Sequence, residues 1–307
     1  MGKLVLGGNA HIDEHIIYSE QMSLGDKLSV VKRIRSKKYD LVLDFMNNPR
    51  SALFCWFSKA KKTLAFDSKR SFFYNQTVAK PSGSAYIVEQ KMSLLSGLGS
   101  LKPSEGLMLP WGPEDLEPLK TMLSENENFS LAKIRVVLSP THRRKARIWP
   151  QQHYAVLADF LYEKWGASVT WVWGPGEEKY IDDTMARCQH SSLKAPKTSF
   201  KELACLIANH DLFIGNSNGP SHVAVATGIS SLQLHGPTLA KSWCPHTDFH
   251  QSIQSPQVKD SATISMAFIT LPVVIKKLEK MRPVIDKVSQ SRRNFGIMSS
   301  SETRRVT

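Results

Sequence analysis

Short apolar runs that alternate with helical apolar stripes constrain the fold of this chain most strongly. Runs typical of buried strands lie at residues 136–138, 169–173, 212–214 and 232–234. Between the first two, Tyr154, Leu157 and Leu161 recur at three- and four-residue spacing, which is typical of a helix that packs on a sheet. The alternation predicts an α/β fold with parallel sheets that are covered by helices.

The first half repeats the strand pattern at residues 41–45 and 63–66, and 307 residues are enough for two domains. A polar, acidic stretch at residues 110–128, punctuated by prolines, is the predicted boundary. We therefore predict a first domain at 1–128, which includes the linker, and a second domain at 129–285. A basic, disordered tail is expected at 286–307.

The balance of 40 Lys and Arg against 27 Asp and Glu, a net charge of +13, predicts an acidic partner. Nucleic acid, an anionic membrane surface and a phosphorylated small molecule all fit this charge. Basic clusters such as residues 142–147 follow predicted strands, however, and do not share one helix with interleaved aromatic residues. The pattern disfavours nucleic acid, and a basic nucleic-acid-binding protein is kept as an alternative.

The cysteines and the apolar runs limit the other classes of protein. The four cysteines are far apart and form no CxxC pair, so no zinc-finger type of metal site is predicted. This cysteine usage is expected in a reduced, cytosolic compartment. No stretch reaches the roughly 20 apolar residues that span a bilayer, and the first residues lack the apolar run of a signal peptide.

The most informative segment is a strand, turn and helix start at residues 211–226. Its apolar strand runs into the turn GNSNG at 215–219, and Pro220 is predicted to be the first residue of a helix that contains His222. The unpaired N–H groups of such a first turn can bind an anion. A plain strand-turn-helix junction explains the same residues and stays open at this point.

Three further turns follow predicted strands of the same half. Thr141 and Arg147 lie in the basic loop after one strand, Glu177 lies in a Gly-Pro-Gly turn after the next, and Thr238 lies in a Gly-Pro-Thr turn. Parallel sheets bind ligands beyond the carboxyl ends of adjacent strands, so the turns are expected to share one pocket. Arginine binds a diphosphate through paired hydrogen bonds, and a glutamate accepts ribose hydroxyls. The sequence therefore predicts a nucleotide site.

Several motifs also occur together in a known order. They are YDLVLD at 39–44, NPRSA at 48–52, RIWP at 147–150, GPGE at 174–177, GNSNGPSH at 215–222 and GPT at 236–238. In this combination the chain resembles the bacterial lipopolysaccharide heptosyltransferases, the family-nine glycosyltransferases. The resemblance implies a GT-B architecture, in which two Rossmann-like domains with parallel sheets face each other across a cleft.

The resemblance also implies a reaction. Members move a heptose from a nucleotide-sugar donor, typically ADP-heptose, to a lipopolysaccharide core or related glycan acceptor, by metal-independent transfer with inversion. No cofactor besides the donor substrate is implied. The acceptor would be an anionic glycolipid at the inner membrane surface, so a cytoplasmic, peripheral-membrane location is expected and nucleic acid is not expected as a partner.

Matching positions give the candidate site residues. The nucleotide-sugar set is Thr141, Arg147, Glu177, Ser217, Asn218, Gly219, Pro220, His222 and Thr238, and the acceptor set is Asn48 and Arg50. Arg147 stands where the family usually has a phosphate-binding lysine. Ser217 and Asn218 depart from the family pattern, in which Asp-Ser or Asp-Thr precedes the glycine and the carboxylate holds donor hydroxyls.

The amino-terminal end is a second departure. Members begin with a strand, a Ser-Leu-Gly-Asp loop and a helix, and the Asp of that loop is the proposed base; this chain resembles a later part of the family sequence. We therefore expect an incomplete first domain that lacks this base. The letters SLGD do occur at residues 23–26, but only 12 residues separate Gly25 from Lys38, so we interpret them as a helix start. Asp26 and Asp44 are the remaining candidates for the base.

Three further alternatives, besides the nucleic-acid-binding protein, follow from these observations. The first is an inactive family member that binds nucleotide sugar or acidic glycan. The second is a zinc protease, because His11, Glu14 and His15 match the pattern HxxEH. The third is a serine hydrolase, because residues 215–219 match Gly-x-Ser-x-Gly, with Asp248 and His250 downstream.

Overall fold

The computed structural model describes residues 5–81, 83, 85–99, 106–256, 265–298 and 300. The chain divides into two compact units, which we call the small unit and the large unit. The small unit is Ile12–Glu105, and the large unit combines Met1–His11 with Gly106–Thr307. No helix in the described part of the chain has the length and apolar character that crossing a bilayer requires.

The small unit contains a parallel sheet of three strands in the order β1-β2-β3. The elements are α1 (Leu24–Ser36), β1 (Leu41–Asp44), α2 (Pro49–Ser58), β2 (Lys62–Phe66), β3 (Gln76–Val78) and α3 (Ile87–Met92), with 3-10 turns at Ser71–Phe73 and Ser93–Leu98. Ala52 and Cys55 of α2 pack with Ala65 on one face of the sheet, and Leu94 packs with Leu64 on the other. The alternation of Leu64 and Ala65 between two cores is the period of a strand that is buried on both faces.

The large unit contains a parallel sheet of six strands in the order β6-β5-β4-β7-β8-β9. The strands are β4 (Ile134–Ser139), β5 (Ala167–Trp171), β6 (Leu193–Lys194), β7 (Leu212–Asn216), β8 (Ser230–His235) and β9 (His250–Gln254). The helices are α4 (Pro113–Leu116), α5 (Glu127–Ser130), α6 (Gln151–Trp165), α7 (Glu178–Met185), α8 (Phe200–Ala208), α9 (Gly219–Ala226), α10 (Ala240–Trp243) and α11 (Leu271–Phe295). Because the strand order reverses between β4 and β7, the crevice beyond their carboxyl ends is the topological switch point at which such sheets bind ligands.

Both faces of the large sheet are covered, so the sheet is the buried layer of a doubly wound fold. Leu157 of α6 and Leu278 of α11 pack on one face, and Ala204 of α8 and Val223 of α9 pack on the other. Trp149 is fully buried, and its indole N–H donates to the carbonyl of Ile269 at 2.6 Å, so this tryptophan belongs to the core. The predicted strands and the two predicted helices of this half are confirmed.

The division into units differs from the predicted boundary at residues 128 and 129. Trp111, Leu119 and Leu123 of the predicted linker are buried in the core of the large unit. The linker residues therefore fold into short helical turns against this core. The apolar residues of the segment make this packing favourable despite its prolines.

The predicted disorder of residues 286–307 is wrong for residues 286–295, which continue α11. Arg292 is buried and donates to Asp211, with its Nε 2.7 Å from Oδ1. Ser289 donates to the carbonyl of Lys133 at 2.5 Å, and the backbone N–H of Met298 donates to Asn209 at 2.8 Å. These contacts hold the basic helix end on the large sheet. Residues 299 and 301–307 lie outside the described residues.

Candidate functional site

The carboxyl ends of β4 and β7 are joined by one buried amide. Asn216 accepts from the backbone N–H of Trp149 at 3.1 Å and donates to the carbonyl of Pro140 at 2.8 Å. Gly215 lies beside it, and a Cβ there would stand 2.9 Å from the backbone oxygen of Ser139. The turn thus needs glycine for close approach of the strands and asparagine to tie the loop after β4 to the end of β7.

A second amide begins the helix at this edge. Asn218 is the N-cap of α9, because its Oδ1 accepts from the N–H of Ser221 at 3.2 Å. Its Nδ2 donates to the Ser139 hydroxyl and to the Thr141 carbonyl, both at 3.0 Å. The first helical residue is therefore Gly219, and Pro220, predicted as the first, is the second. The free N–H groups of α9 begin directly beside Thr141.

Arg147 lies at the centre of this edge. It ends the 3-10 turn Lys145–Arg147 and is half-buried, whereas Arg143, Arg144 and Lys145 are exposed. Its positive charge contributes to lowering the pKa of two histidines, His142 and His235, so the guanidinium is near both rings. Among the basic side chains of residues 143–147, Arg147 is therefore the one that would bind a ligand where water is partly excluded.

His142 links three of the predicted residues. Burial is the main cause that lowers the pKa of His142, and the charge of Arg147 adds to it. The Glu177 carboxylate and a hydrogen bond with the backbone of Ser217 oppose this shift of the pKa. Arg147, Glu177 and Ser217 therefore all lie near one imidazole. Glu177 also accepts from the N–H of Gly174 at 2.8 Å, which holds its carboxylate at the end of β5.

His235 ends β8 at the same edge and is fully buried. Burial, with contributions from His222, Arg147 and His246, lowers the pKa of His235 to about 4. Neither of its ring nitrogens has a hydrogen-bond partner among the described residues. His222 on α9 is half-buried, and burial lowers its pKa; its ring centre lies 5.8 Å from that of Trp243. The sequence prediction included His222 and missed His235.

The turn after β8 completes the edge. Thr238 is half-buried, and its hydroxyl has no hydrogen-bond partner in the part of the chain that the structure describes. A Cβ at Gly236 would lie 2.7 Å from the sulfur of Met266 and 3.5 Å from the carbonyl of Ala146. The glycine therefore lets this turn pass close to the loop that carries Arg147.

Both candidates for the base in the small unit have structural partners. Asp44 is buried and accepts from the N–H groups of Met46 at 2.9 Å and Asn47 at 2.8 Å and from the hydroxyl of Tyr74 at 2.7 Å. Asp26 is exposed and accepts from the hydroxyl of Ser23 at 2.7 Å, where Ser23 is the N-cap of α1. The interpretation of residues 23–26 as a helix start is confirmed.

The predicted acceptor residues are also partnered. Asn48 is the N-cap of α2 and accepts from the N–H groups of Arg50 and Ser51 at 3.0 and 2.9 Å. Arg50 is exposed, forms an ion pair with Glu20 and lies 4.9 Å from the ring centre of Tyr18. The hydrogen bond to Glu20 raises the pKa of the Arg50 guanidinium. The side chain of Asn48 is thus used to cap α2, whereas the side chain of Arg50 remains accessible to an anion.

The structure contradicts the two rival motifs. Residues 11–15 are not helical, and Glu14 forms ion pairs with Arg33 and Lys37, so HxxEH does not build the helical face of a zinc protease. Ser217 follows the carboxyl end of β7, whereas His250 begins β9 and bonds to Ser231 at 3.0 Å. Because the strands are parallel, that serine and histidine lie toward opposite edges of the sheet. In the described ranges, no three His, Cys, Asp or Glu side chains gather as metal ligands would.

A doubly wound sheet with helix-start amides, an arginine and a glutamate at its switch point is an arrangement typical of the nucleotide-binding half of Rossmann-like proteins. The sequence profile of glycosyltransferase family 9 (heptosyltransferase) matches residues 27–270 of the chain. This match covers more than half of the chain. The chain therefore belongs to glycosyltransferase family 9.

Individual relatives agree with the family. Lipopolysaccharide heptosyltransferase 3 of Escherichia coli strain K12 is 27% identical over 229 residues, which are 72% of this chain and 65% of that relative. The glycosyltransferase family 9 structure from Veillonella parvula has a TM-score of 0.79 at 19% identity and covers 91% of this chain and 85% of its own. The structure of E. coli heptosyltransferase WaaC with ADP has a TM-score of 0.62 at 18% identity, with coverages of 84% and 77%. These structures establish the shared α/β fold.

Proposed function

We propose that this chain is an inverting, metal-independent glycosyltransferase. It transfers a heptose or related sugar from an ADP-linked donor to a lipopolysaccharide core or related glycan acceptor. The donor is a substrate, and no further cofactor takes part. The observation that carries the proposal is the convergence of Arg147, Glu177 and the start of α9 on the switch point of a family 9 fold.

The donor site follows from the charges at this edge. The Arg147 guanidinium donates paired hydrogen bonds to the diphosphate, and the N–H of Gly219, at the start of α9, adds the positive end of the α9 dipole. Glu177 is held by Gly174 with one carboxylate oxygen left to accept ribose hydroxyls. Heptosyltransferase WaaC has been solved with ADP, which supports ADP as the nucleotide.

The reaction is a single displacement at the anomeric carbon. The acceptor hydroxyl attacks from the face opposite the diphosphate and loses its proton to a base, so the configuration inverts. The bond to the diphosphate breaks as the new glycosidic bond forms. Arg147 and the helix-start amides stabilise the negative charge that develops on the departing ADP.

The acceptor is an anionic glycolipid at the cytoplasmic face of the inner membrane, and the protein acts there as a peripheral protein. This assignment is supported by the net charge of +13 and by relatives that are lipopolysaccharide heptosyltransferases. Arg50, the accessible arginine at the start of α2, is the proposed contact to an acceptor phosphate.

Calorimetry with ADP on the full chain tests the donor site, and release of ADP from ADP-heptose in the presence of a deacylated inner-core acceptor tests the reaction. We expect binding at millimolar ADP or below and turnover that EDTA does not change. The product should have the opposite anomeric configuration to the donor in NMR spectra. Absence of ADP binding at millimolar concentration would contradict the proposal.

A second candidate is a binding protein without turnover. It is favoured by Asp44, whose buried carboxylate accepts three local hydrogen bonds, and by Asp26, whose carboxylate accepts from Ser23 at the start of α1. Binding of ADP and acceptor without release of ADP from ADP-heptose would identify this function. Turnover that survives Asp26→Asn and Asp44→Asn would assign the base to another group.

A further inference from the structure

A continuous cluster of aromatic rings lies on the surface of the small unit. We call Trp56, Phe57, Phe72 and Phe73 the aromatic patch. The ring of Trp56 lies 5.5 Å from Phe57 and 5.8 Å from Phe73, and Phe73 lies 4.3 Å from Phe72. Phe72 is 77% exposed and Trp56 is 49% exposed, so these rings meet solvent. The patch joins the last turns of α2 to the 3-10 turn Ser71–Phe73.

The core of the small unit does not require this exposure. Ala52, Cys55, Ala65 and Tyr74 already form the buried cluster between α2 and the sheet, and Phe73 packs against it from outside. Phe72 adds its ring beyond this layer. An open groove of about 250 Å³ also runs along the patch, between Trp56 and Phe72. A contiguous exposed apolar surface of this kind is typical of an interaction site.

Lysines surround the aromatic patch. The Lys59 ammonium lies 5.6 Å from the ring centre of Trp56. Lys61 and Lys69 are exposed in the two segments that flank the patch, and residues 59–70 contain five basic residues against the single acidic residue Asp67. Lys61 forms an exposed ion pair with Asp40, whereas Lys59 and Lys69 have no ion-pair partner among the described residues and carry uncompensated charge. The surface therefore combines large apolar rings with net positive charge.

This combination fits one partner best. Tryptophan and lysine occupy the boundary between headgroups and acyl chains, where a ring is half in hydrocarbon and an ammonium meets lipid phosphate. The rings contact one another at 40° and 63°, so they form one apolar surface and do not present separate faces on which nucleic acid bases could stack. We propose that the aromatic patch, with Lys59 and Lys69, docks the protein on an anionic lipid bilayer.

The inference rests on the proposed function, because a glycolipid acceptor must be reached at a membrane surface. It adds the part of the molecule that makes the contact. Aromatic rings would enter the interface and lysines would bind acidic headgroups, so attachment would need both apolar burial and charge. Neither the aromatic rings nor the lysines of the patch belong to the carboxyl edge of the large sheet.

Co-sedimentation of the full chain with vesicles tests the proposal. One vesicle contains phosphatidylethanolamine and phosphatidylglycerol, and the other contains phosphatidylcholine alone. We expect binding to the first, with partitioning reduced about tenfold or more in Trp56→Ser/Phe72→Ser. The matched control is Leu24→Ser/Leu131→Ser, which removes two residues that are each 80% exposed elsewhere on the surface. The control should keep partitioning within about twofold of the parent.

A charge-reversal pair tests the lysines. Lys59→Glu/Lys69→Glu should abolish the preference for phosphatidylglycerol, and the binding of the parent should weaken as salt rises. Lys32→Glu/Lys164→Glu makes the same change in net charge at two exposed positions outside the patch and should keep the preference. Equal losses in both pairs would mean that overall charge, and not the patch, determines vesicle binding, and would overturn the proposal.

Other occupants of the patch give distinct results. A parent that is dimeric in sedimentation and becomes monomeric in Trp56→Ser/Phe72→Ser, without a change in vesicle binding, would assign the patch to self-association and overturn the proposal. Retention on single-stranded DNA that these substitutions abolish, with vesicle binding unchanged, would do the same. Transfer to the deacylated acceptor separates the two proposals. If the parent transfers sugar to this acceptor but does not bind vesicles, only the docking proposal fails. If the parent binds vesicles as expected but does not bind ADP, only the proposed function fails.

Discussion

The two parallel sheets of this chain end in similar sequences but use their polar residues differently. In the large unit, Arg147 and Glu177 keep charged groups at the carboxyl edge, near a histidine that they both influence. In the small unit, the side-chain oxygens of Asp44 and Asn48 accept hydrogen bonds from nearby backbone N–H groups. A polar residue at a strand end is therefore a candidate for ligand binding only if its own turn does not already use its side chain as a hydrogen-bond partner.

The difference has a local cause. The turn after β1 contains Asn47 with a φ of +48°, and Asp44 and Asn48 supply the acceptors that its backbone N–H groups need. In the large unit, the corresponding structural tasks fall to Asn216 and Asn218. These two amides hold the turns, and the Arg147 guanidinium and one carboxylate oxygen of Glu177 at the same edge remain available to a ligand.

The first prediction concerns acid stability, which should distinguish the two units most strongly. His210 and His235 are fully buried in the large unit, and burial lowers their pKa values to about 3 and about 4, from 6.5. Below pH 6.5 the unfolded chain binds protons that the folded unit does not, so stability is full above about pH 6.5 and falls toward pH 4. At pH 5 the loss should be about 2 kcal/mol for each histidine. Urea unfolding at pH 7 and pH 5 measures it.

A single substitution sharpens this expectation. His235→Gln removes one titrating ring whose nitrogens lack partners among the described residues, and should reduce the acid loss at pH 5 by about 2 kcal/mol. His11→Gln changes an exposed histidine and should leave the acid loss as it is. If His235→Gln unfolds with the same pH dependence as the parent, the imidazole is protonated in the folded unit.

The second prediction tests whether Asp44 is structural. Asp44→Ala leaves two backbone N–H groups and the Tyr74 hydroxyl without their acceptor and should lower the free energy of unfolding by about 2–3 kcal/mol. Affinity for ADP, measured below the unfolding transition, should not change. Asp44→Asn should destabilise less, because an amide oxygen can still accept from the two N–H groups. Full stability of Asp44→Asn together with complete loss of transfer would instead identify Asp44 as the base.

The third prediction tests the large unit, where Arg147 is expected to bind the ligand. Arg147→Ala should weaken ADP binding by about 2 kcal/mol, roughly thirtyfold, because it removes a charged hydrogen bond from a partly desolvated edge. Arg144→Ala removes the same charge from an exposed position in the same loop and should cost much less. Calorimetry at matched ionic strength measures both. Similar losses for the two variants would mean that the basic loop attracts ADP as a diffuse patch.

Much of the fold was predictable because its signals are local. The apolar runs and stripes of the large unit have the strand and helix periods, and the capping box at Ser199 marks the start of α8. The helical end of α11 was also signalled, since Val274, Leu278 and Ile285 recur at helical spacing, but the basic composition of the residues after 285 led to a prediction of disorder. The prediction therefore gave more weight to the basic composition than to the apolar stripe, although the stripe is what packs the helix against the sheet.

The site was predictable only in part. Residues 217–222 and Arg147 follow predicted strands, so sheet geometry alone gathers them at one edge. The role of Asn218 depends on Thr141, which lies 77 residues away in the chain, and no local pattern states such a contact. His142 and His235 lie within strand-end turns that the sequence analysis did select, and that position was the signal that could have identified them.

The last and smallest expected effect concerns Arg50, the one acceptor candidate in the small unit that is accessible. Its ion pair with Glu20 is exposed, so Arg50→Ala should leave the unfolding transition unchanged. If Arg50 binds an acceptor phosphate, KM for the deacylated acceptor should rise about threefold to tenfold while ADP affinity stays constant. Arg33→Ala, at another exposed ion-paired arginine of the small unit, is the matched control and should leave KM unchanged. An unchanged KM in Arg50→Ala would mean that the strand-end residues of the small sheet serve its turns alone, whereas a rise confined to Arg50 would show that one residue of this edge still meets a substrate.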